Sequence, residues 1–323
     1  MTRQRKRILA LTGGVGGAKL CLGLTHCLDA DALTFVVNTG DDFEHLGLHI
    51  CPDLDTLLYT LSDQADPDRG WGRREESWAC LETLASLGGE SWFRLGDRDL
   101  ATHLLRTDAL ARGHSLTEIT ATLATRLGIE QRILPMSDDP VRTRIATPDG
   151  ELAFQHYFVR ERCAPTVTGF RFEGASAARA SPAVLEALAD PALAGVLICP
   201  SNPFVSIDPI LALPALRAAL DASPAPVVAV SPIIAGAAIK GPTAKMMEEL
   251  GVPRTSSAVA AHYGTLLDGF LIDEQDASLA EEIRASGVAT EVAPTLMVSL
   301  DDRIALARRA LDFLDALDHR AAS

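Results

Sequence analysis

Lysine is nearly absent from this chain: it stands only at positions 6, 19, 240 and 245, against 25 arginines. Acidic residues outnumber basic ones, giving a net charge of −14 and a pI near 5.0. That balance argues against sequence-independent nucleic-acid binding, which needs a basic surface. No apolar run reaches the roughly 20 residues that span a bilayer. The six cysteines (21, 27, 51, 80, 163 and 199) form no Cys-x-x-Cys pair, so neither a zinc ribbon nor a thioredoxin-type site is indicated. There is no Gly-x-Ser-x-Gly elbow and no His-Glu-x-x-His, and the eight histidines are scattered. Met1–Arg7 is basic, but the apolar stretch behind it is short and broken by glycine, a poor secretory leader. A cytoplasmic protein with reduced cysteines is the expectation.

What the sequence does have comes at its start. The apolar run Ile8-Leu9-Ala10-Leu11 leads into Gly13-Gly14-Val15-Gly16-Gly17-Ala18-Lys19, and a helix-like stretch follows. Strand, glycine turn and helix set backbone N–H groups and a helix N-terminus before a phosphate. Two standard fingerprints fail. A P-loop requires Ser or Thr after its lysine, and Lys19 precedes Leu20. The dinucleotide pattern fits Gly14 and Gly16 but meets Lys19 where its third glycine belongs.

The 323 residues suit one large α/β unit. Strands are expected at Arg7–Thr12 and Leu33–Asn38 around a helix Ala18–Leu28, then a helix Leu54–Leu61. Helices near 74–87, 99–112 and 116–127 follow, the last opened by the capping box Ser115/Glu118. The middle turns to strand at Gln131–Leu134, Thr143–Thr147 and Leu152–Val159. Alternation resumes with strands Ala194–Cys199, Val227–Val230 and Gly269–Ile272, helices near 210–220, 244–250 and 258–267, and a terminal helix from Asp301. The pattern predicts a modified Rossmann-like, doubly wound, mainly parallel sheet. Its core is expected from residues 1–62 and 190–323, with an inserted helical and β-hairpin subdomain over about 63–189.

In open α/β sheets ligands sit beyond the carboxyl ends of the strands. After the second strand come Asn38-Thr39-Gly40-Asp41-Asp42 and then Cys51-Pro52-Asp53-Leu54-Asp55-Thr56. Clustered carboxylates suit Mg2+, which takes one or two of them plus substrate phosphates. Asp53 equally suits a helix N-cap, and Asp41 and Asp42 a solvated turn. In Leu95-Gly96-Asp97-Arg98-Asp99, Asp99 reads as a cap that frees Arg98 for a ligand. Ser201, Asn202 and Ser206 follow another strand and offer groups for ribose or phosphate. Lys240, Gly241 and Pro242 form a further glycine loop before a helix.

Taken in order, Leu11–Lys19, Asn38–Asp41, Cys51–Tyr59, Leu95–His103, Leu134–Val141, Pro200–Ile207 and Ser231–Thr243 give the chain a resemblance that runs nearly end to end. It resembles the 2-phospho-L-lactate transferase family of coenzyme F420 biosynthesis. The strings Pro-Asp-Leu-Asp-Thr, Leu-Gly-Asp-Arg-Asp and Pro-Met-Ser-Asp-Asp-Pro-Val carry it more specifically than the glycine loop does. The resemblance implies a Mg2+-dependent, generally dimeric transferase. It would move a phosphorylated three-carbon acid (phospholactate, or a phosphoenolpyruvate or phosphoglycerate equivalent) from a guanosine diphosphate adduct to the deazaflavin precursor Fo. The ribityl hydroxyl of Fo attacks phosphorus, GMP leaves, and coenzyme F420-0 forms. It implies catalytic roles among Asp41, Asp53 and Asp55, metal binding by Asp41 and Asp53, and Fo contact by Asp53 or Asp55 with Arg98. Gly13, Gly14, Gly16, Gly17, Lys19, Ser201, Asn202, Ser206, Lys240 and Gly241 would face the nucleotide, phosphates or acid. Which aspartate is base and which metal ligand stays open. The alternative is a regulatory protein of the same broader fold that binds a uridine sugar nucleotide. A nicotinamide dehydrogenase is disfavoured by the broken dinucleotide pattern.

Overall fold

The computed structural model describes residues 6–239 and 241–321. Seven strands form one parallel sheet: β1 (Arg7–Thr12), β2 (Leu33–Val37), β3 (Arg132–Pro135), β4 (Leu193–Ile198), β5 (Val227–Val230), β6 (Gly269–Ile272) and β7 (Ala289–Val292). Their spatial order is β3-β2-β1-β4-β5-β6-β7. Every neighbouring pair is parallel, as in the expected doubly wound fold. The inner strands read as unbroken apolar runs because both faces are covered. Ile8 and Ala10 of β1 point into one core layer, Leu9 and Leu11 into the other.

The first layer is closed by α1 (Gly14–Thr25), α2 (Pro52–Leu61), α3 (Asp97–Ala111), α4 (Leu116–Arg126) and the C-terminal α5 (Leu300–Ala321). Leu20, Leu24, Leu54, Leu58, Ile119, Leu306 and Leu314 fill it. Shorter helices, among them Pro182–Leu188, Pro214–Ala222 and Ser256–Tyr263, cover the opposite face with Val184, Leu216 and Val259. Three small antiparallel units accompany the sheet, the shortest being the pair Ile233–Ile234/Ala237–Ala238. The hairpin Phe43–His45/Leu48–Ile50 turns at Leu46 and Gly47, both at positive φ (55° and 74°). A three-stranded sheet has Arg142–Thr147 between Gly150–Ala153 and Gly169–Glu173. Among the described residues no single helix is long and apolar enough to cross a membrane.

The structure departs from the sequence reading in a few places. Residues Arg132–Pro135, assigned above to the inserted region, pair with β2 as the edge of the main sheet. The strand expected through Val159 ends at Ala153, and residues 156–160 coil into a wide helical turn. The helix near 210–220 is two helices, since Pro214 opens the second. Strand β7, only four residues long and paired on one side, was not foreseen. Helix α1 begins at Gly14, four residues early. Its first turn lies so near β4 that a Cβ on Gly16 would come 2.5 Å from the Pro200 carbonyl. One on Gly17 would meet Ser201 Oγ at 2.6 Å. Gly17→Ala is expected to cost roughly 1–3 kcal/mol, as overpacking does. A fall in Tm with an unchanged denaturant slope would register it.

Candidate active site at the switch point of the sheet

The strand order reverses between β1 and β4, the crevice where open α/β sheets take ligands. Gly13 and Gly14 enter it from β1, Pro200 and Ser201 from β4. The loop's first amides are already engaged. Gly13 N donates to Ser201 Oγ at 3.2 Å and Gly14 N to Asp53 Oδ1 at 2.8 Å. Helix α1 carries no acidic residue in its own first turn, so Asp53 of α2 supplies the anion that its N-terminus favours. Gly14 sits at φ +66°, which glycine adopts without strain, and nothing lies within 4 Å of where a Cβ would be. The outer side of the loop is therefore open.

Asn38, at the end of β2, is the hub of the site. Its Nδ2 donates to Asp41 Oδ1 (3.1 Å), Asp53 Oδ2 (2.9 Å) and the Val205 carbonyl (3.2 Å). Its Oδ1 accepts from Gly40 N at 2.8 Å, which fixes the amide's orientation. Asp41 and Asp53 are each only 6% exposed. Among the described residues no Lys or Arg pairs with either. Burial pushes the Asp53 carboxyl up to about 6, against the bonds from Asn38 and Gly14. Burial, and then the charge of Asp53, drives Asp41 well above the ordinary range. Asp42 is buried alongside and accepts from the Cys51 thiol at 3.1 Å, while its Oδ1 has no partner. Two oxygen donors without a countercharge among the described residues fit a hard divalent cation such as Mg2+. Asp42, His49 and Cys51 also hold donor atoms within 4.8 Å of one another.

Asp55 does not join this cluster. Two residues along a helix lie on opposite sides, so Asp55 turns from Asp53 toward α3. There Arg106 grips it through both guanidinium nitrogens, Nη1 at 3.1 Å from Oδ2. His103 Nδ1 stands 3.6 Å from Asp55, its Nε2 3.2 Å from Asp99 Oδ1, and Tyr59 donates to Asp99 at 2.6 Å. Arg106 is 1% exposed; burial works against its charge, but Asp55, by charge and hydrogen bond, together with Cys51 and Tyr59 outweighs burial and holds the guanidinium protonated. Burial would raise Asp99, but His103, Tyr59 and Arg106 outweigh it and hold the carboxyl low.

The remaining candidates are dispersed. Arg98 is exposed and paired with Glu75 at 3.1 Å. Asp99 is no cap: Gly96 caps α3, and Asp97 instead accepts from Ala79 N and Cys80 N of the helix Ala79–Ser86. Lys19 is half-buried, and its Nζ donates to the Met297 carbonyl at 3.0 Å. Ser201 and Ser206 are buried beside Gly13. Asn202 accepts from Phe204 N at 3.0 Å, the Asx cap of its own turn. Gly241 has φ +75° and open space around it, and Lys240 lies outside the described residues. Pro242 precedes its helix as cap rather than opening it. The sequence reading missed Asn38 as hub, and Arg106, His103 and Tyr59. The one available signal was the helical spacing of Asp99, His103 and Arg106.

Two predictions follow from these networks. As pH rises from about 4, the unfolded chain releases carboxyl protons that the native Asp41–Asp53 pair retains. The stability of the metal-free protein therefore falls as pH climbs through about 6. Asp41→Asn is expected to flatten that slope in a Tm-versus-pH series, and Mg2+ at pH 8 to raise Tm less in the variant than in the parent. Breaking the second network by Arg106→Met strands a buried charge and is expected to cost about 3–5 kcal/mol. The double variant Arg106→Met/Asp55→Leu should recover much of that loss in urea unfolding.

Known proteins resemble this chain over nearly its whole length. The family model described as 2-phospho-L-lactate transferase CofD matches residues 8–303. A phosphoenolpyruvate transferase of Streptomyces avermitilis is 43% identical over 311 residues, covering 94% of this chain and 97% of that one. Its namesake in Mycolicibacterium smegmatis is 42% identical over 327 residues, covering 95% and 98%. The crystal structure of a UPF0052 family member from Bacillus halodurans superimposes with a TM-score of 0.64 at 18% identity, over 95% of this chain and 99% of that one. The last likeness shows the fold. The family match and the two sequence relatives show that this chain belongs to the 2-phospho-L-lactate transferase CofD family.

Proposed function

We propose that this protein transfers an enolpyruvyl phosphate unit from a guanosine diphosphate adduct to the ribityl hydroxyl of Fo, releasing GMP in the assembly of coenzyme F420. The observation that carries the reading is the buried Asp41–Asp53 pair, held on one Asn38 amide in front of an open glycine loop at the switch point. Phosphoryl transfer needs little covalent help from a protein; positioning and charge neutralisation do most of it. The relatives' name favours phosphoenolpyruvate among the possible acids.

The chemistry divides among this chain's residues as follows. The acceptor oxygen forms a bond to the phosphorus bearing the three-carbon acid, and the bond from that phosphorus to the GMP oxygen breaks. The hydroxyl's proton passes to a carboxylate oxygen of the Asp41–Asp53 pair that faces the crevice and is not taken by the cation. The pair titrates as a unit, so the proton belongs to both carboxylates. The outward amides of the first turn of α1 face the diphosphate. Mg2+ held by Asp41 and Asp53 would supply the positive charge that lysine-poor surroundings do not. Asp55 and Arg98 do not line this pair. Asp55 positions α2 through Arg106, and Arg98 stays a candidate for acceptor contact at the rim. A homodimer and a cytoplasmic setting complete the reading. Helix Ala79–Ser86 buries none of its residues, and Leu87 and Leu104 are exposed, which supports a second copy of the chain covering that side.

The test is direct. Purified protein with Mg2+, Fo and the guanosine-linked enolpyruvyl donor is expected to release GMP, measured by anion-exchange chromatography. Asp41→Asn should cut turnover by about a hundredfold or more. No GMP release, together with tight uridine-sugar-nucleotide binding and no affinity for Fo, would establish the regulatory alternative instead.

A further inference from the structure

Aromatic residues make up only 5% of this chain, yet several converge on the hairpin beside the carboxylates. Phe43 meets Phe93 edge-on at 4.8 Å between ring centroids, and His45 meets Trp92 at 5.1 Å. Trp92 touches Phe93 at 5.7 Å and, on another side, His156 at 4.9 Å. All four contacts are T-shaped, a geometry that aromatic pairs favour, and the rings together form one wall. Its position follows from the chain. Phe43 comes directly after Asp41-Asp42, and the hairpin's second strand runs through Cys51 and Pro52 into Asp53. Phe43, Trp92 and Phe93 are only half-buried, so the wall presents an outer face.

One polar atom in this wall is unaccounted for. His45 is 4% exposed, and its Nε2 has no hydrogen-bond partner. A buried ring nitrogen without a partner bears the full cost of its lost hydration. Burial, only partly opposed by Glu90, keeps this imidazole neutral, so its ring nitrogens divide one donor and one acceptor between them. Half-buried aromatic rings with one unpartnered neutral hydrogen-bonding atom, the Trp92 N–H being taken by Glu90, suit a planar heteroaromatic ring with a polar edge.

We propose that Phe43, His45, Trp92 and Phe93 form the platform for the acceptor's planar ring system, with His45 Nε2 bonding its polar edge. The proposal rests on the acceptor reading given above and adds to it the residues that select the ring. It places ring recognition on the hairpin and on the segment before α3, apart from the donor's side at Gly14 and Ser201. The platform consists of binding residues; none is assigned a step in the chemistry.

The experiment titrates Fo against wild-type protein and against Trp92→Ala, Phe43→Leu and His45→Gln, reading quenching and shift of the deazaflavin fluorescence. Each variant's Tm and its affinity for the guanosine-linked donor are measured alongside. The expected result is a tenfold or greater rise in the Fo Kd, matched by a rise in KM for Fo, with donor affinity retained. Unchanged Fo affinity in folded Phe43→Leu and His45→Gln would overturn the platform, even if Trp92→Ala proves unstable. So would a loss of Tm in all three with Fo binding intact, the mark of a purely structural cluster. Failure of the wild-type protein to bind Fo at all would instead count against the acceptor reading.

Discussion

Two carboxylates share one amide nitrogen in a place where water scarcely reaches. Most of what is distinctive in this molecule is arranged around that constraint. Like charges so close and so buried repel strongly and resist ionisation. The structure tolerates them by aiming dipoles at them: the Asn38 amide at both, and the Gly14 N–H at the head of α1 at Asp53. Asn38 can serve only because Gly40 N and the Val205 carbonyl lock its orientation. These dipoles lower the cost without removing it, which is why both carboxyls still hold their protons too tightly. The pair therefore costs the metal-free fold stability as pH rises, since it retains protons that the unfolded chain releases.

Asp53 and Asp55 show how position divides two identical side chains. They are separated by one residue in α2, and both are nearly buried. Asp53 faces the crevice and meets only neutral donors. Asp55 faces α3 and meets the full charge of Arg106, itself surrounded by His103, Asp99 and Tyr59. The second arrangement is a fixed ion pair, which anchors the first turn of α2 and with it the carboxylate two residues earlier. A buried pair of this kind adds little net stability over an apolar substitute, yet removing one partner is severe. Its value here lies in holding geometry.

Much of this was legible beforehand, for identifiable reasons. The strands of the sheet interior announced themselves as apolar runs, and Ser115/Glu118 announced a capping box that the structure forms in full. Strand β7 was not legible, because four alternating residues at a sheet edge resemble any short loop. Within the crevice, the short strings named segments that the fold brings close together, at Asp41, Asp53 and Ser201. They did not say which way each side chain turns. Asp55 and Arg98 sit in the strings that carry the family resemblance, but one faces a buried arginine and the other faces solvent. Asn38 was passed over because an asparagine after a strand ordinarily reads as a turn residue. Its role depends on Asp53 arriving from 15 residues away and Val205 from 167, which only the fold brings together.

The glycine loop acquires a different meaning in this setting. From sequence it reads as a cradle whose amides receive phosphate, yet it matches neither standard fingerprint. The structure supplies a physical reason. Gly16 and Gly17 are small because β4 presses against the first turn of α1, with Pro200 and Ser201 occupying the space that side chains would need. The first two amides bind Ser201 and Asp53, so the loop's leading positive dipole is directed at a carboxylate of the protein itself. A P-loop offers its amides and lysine straight to the phosphates. Here the same dipole steadies an aspartate, and Lys19 reaches the Met297 carbonyl. In a chain with four lysines and a net charge of −14, the helix dipole is thus committed to stabilising one of the protein's own buried carboxylates.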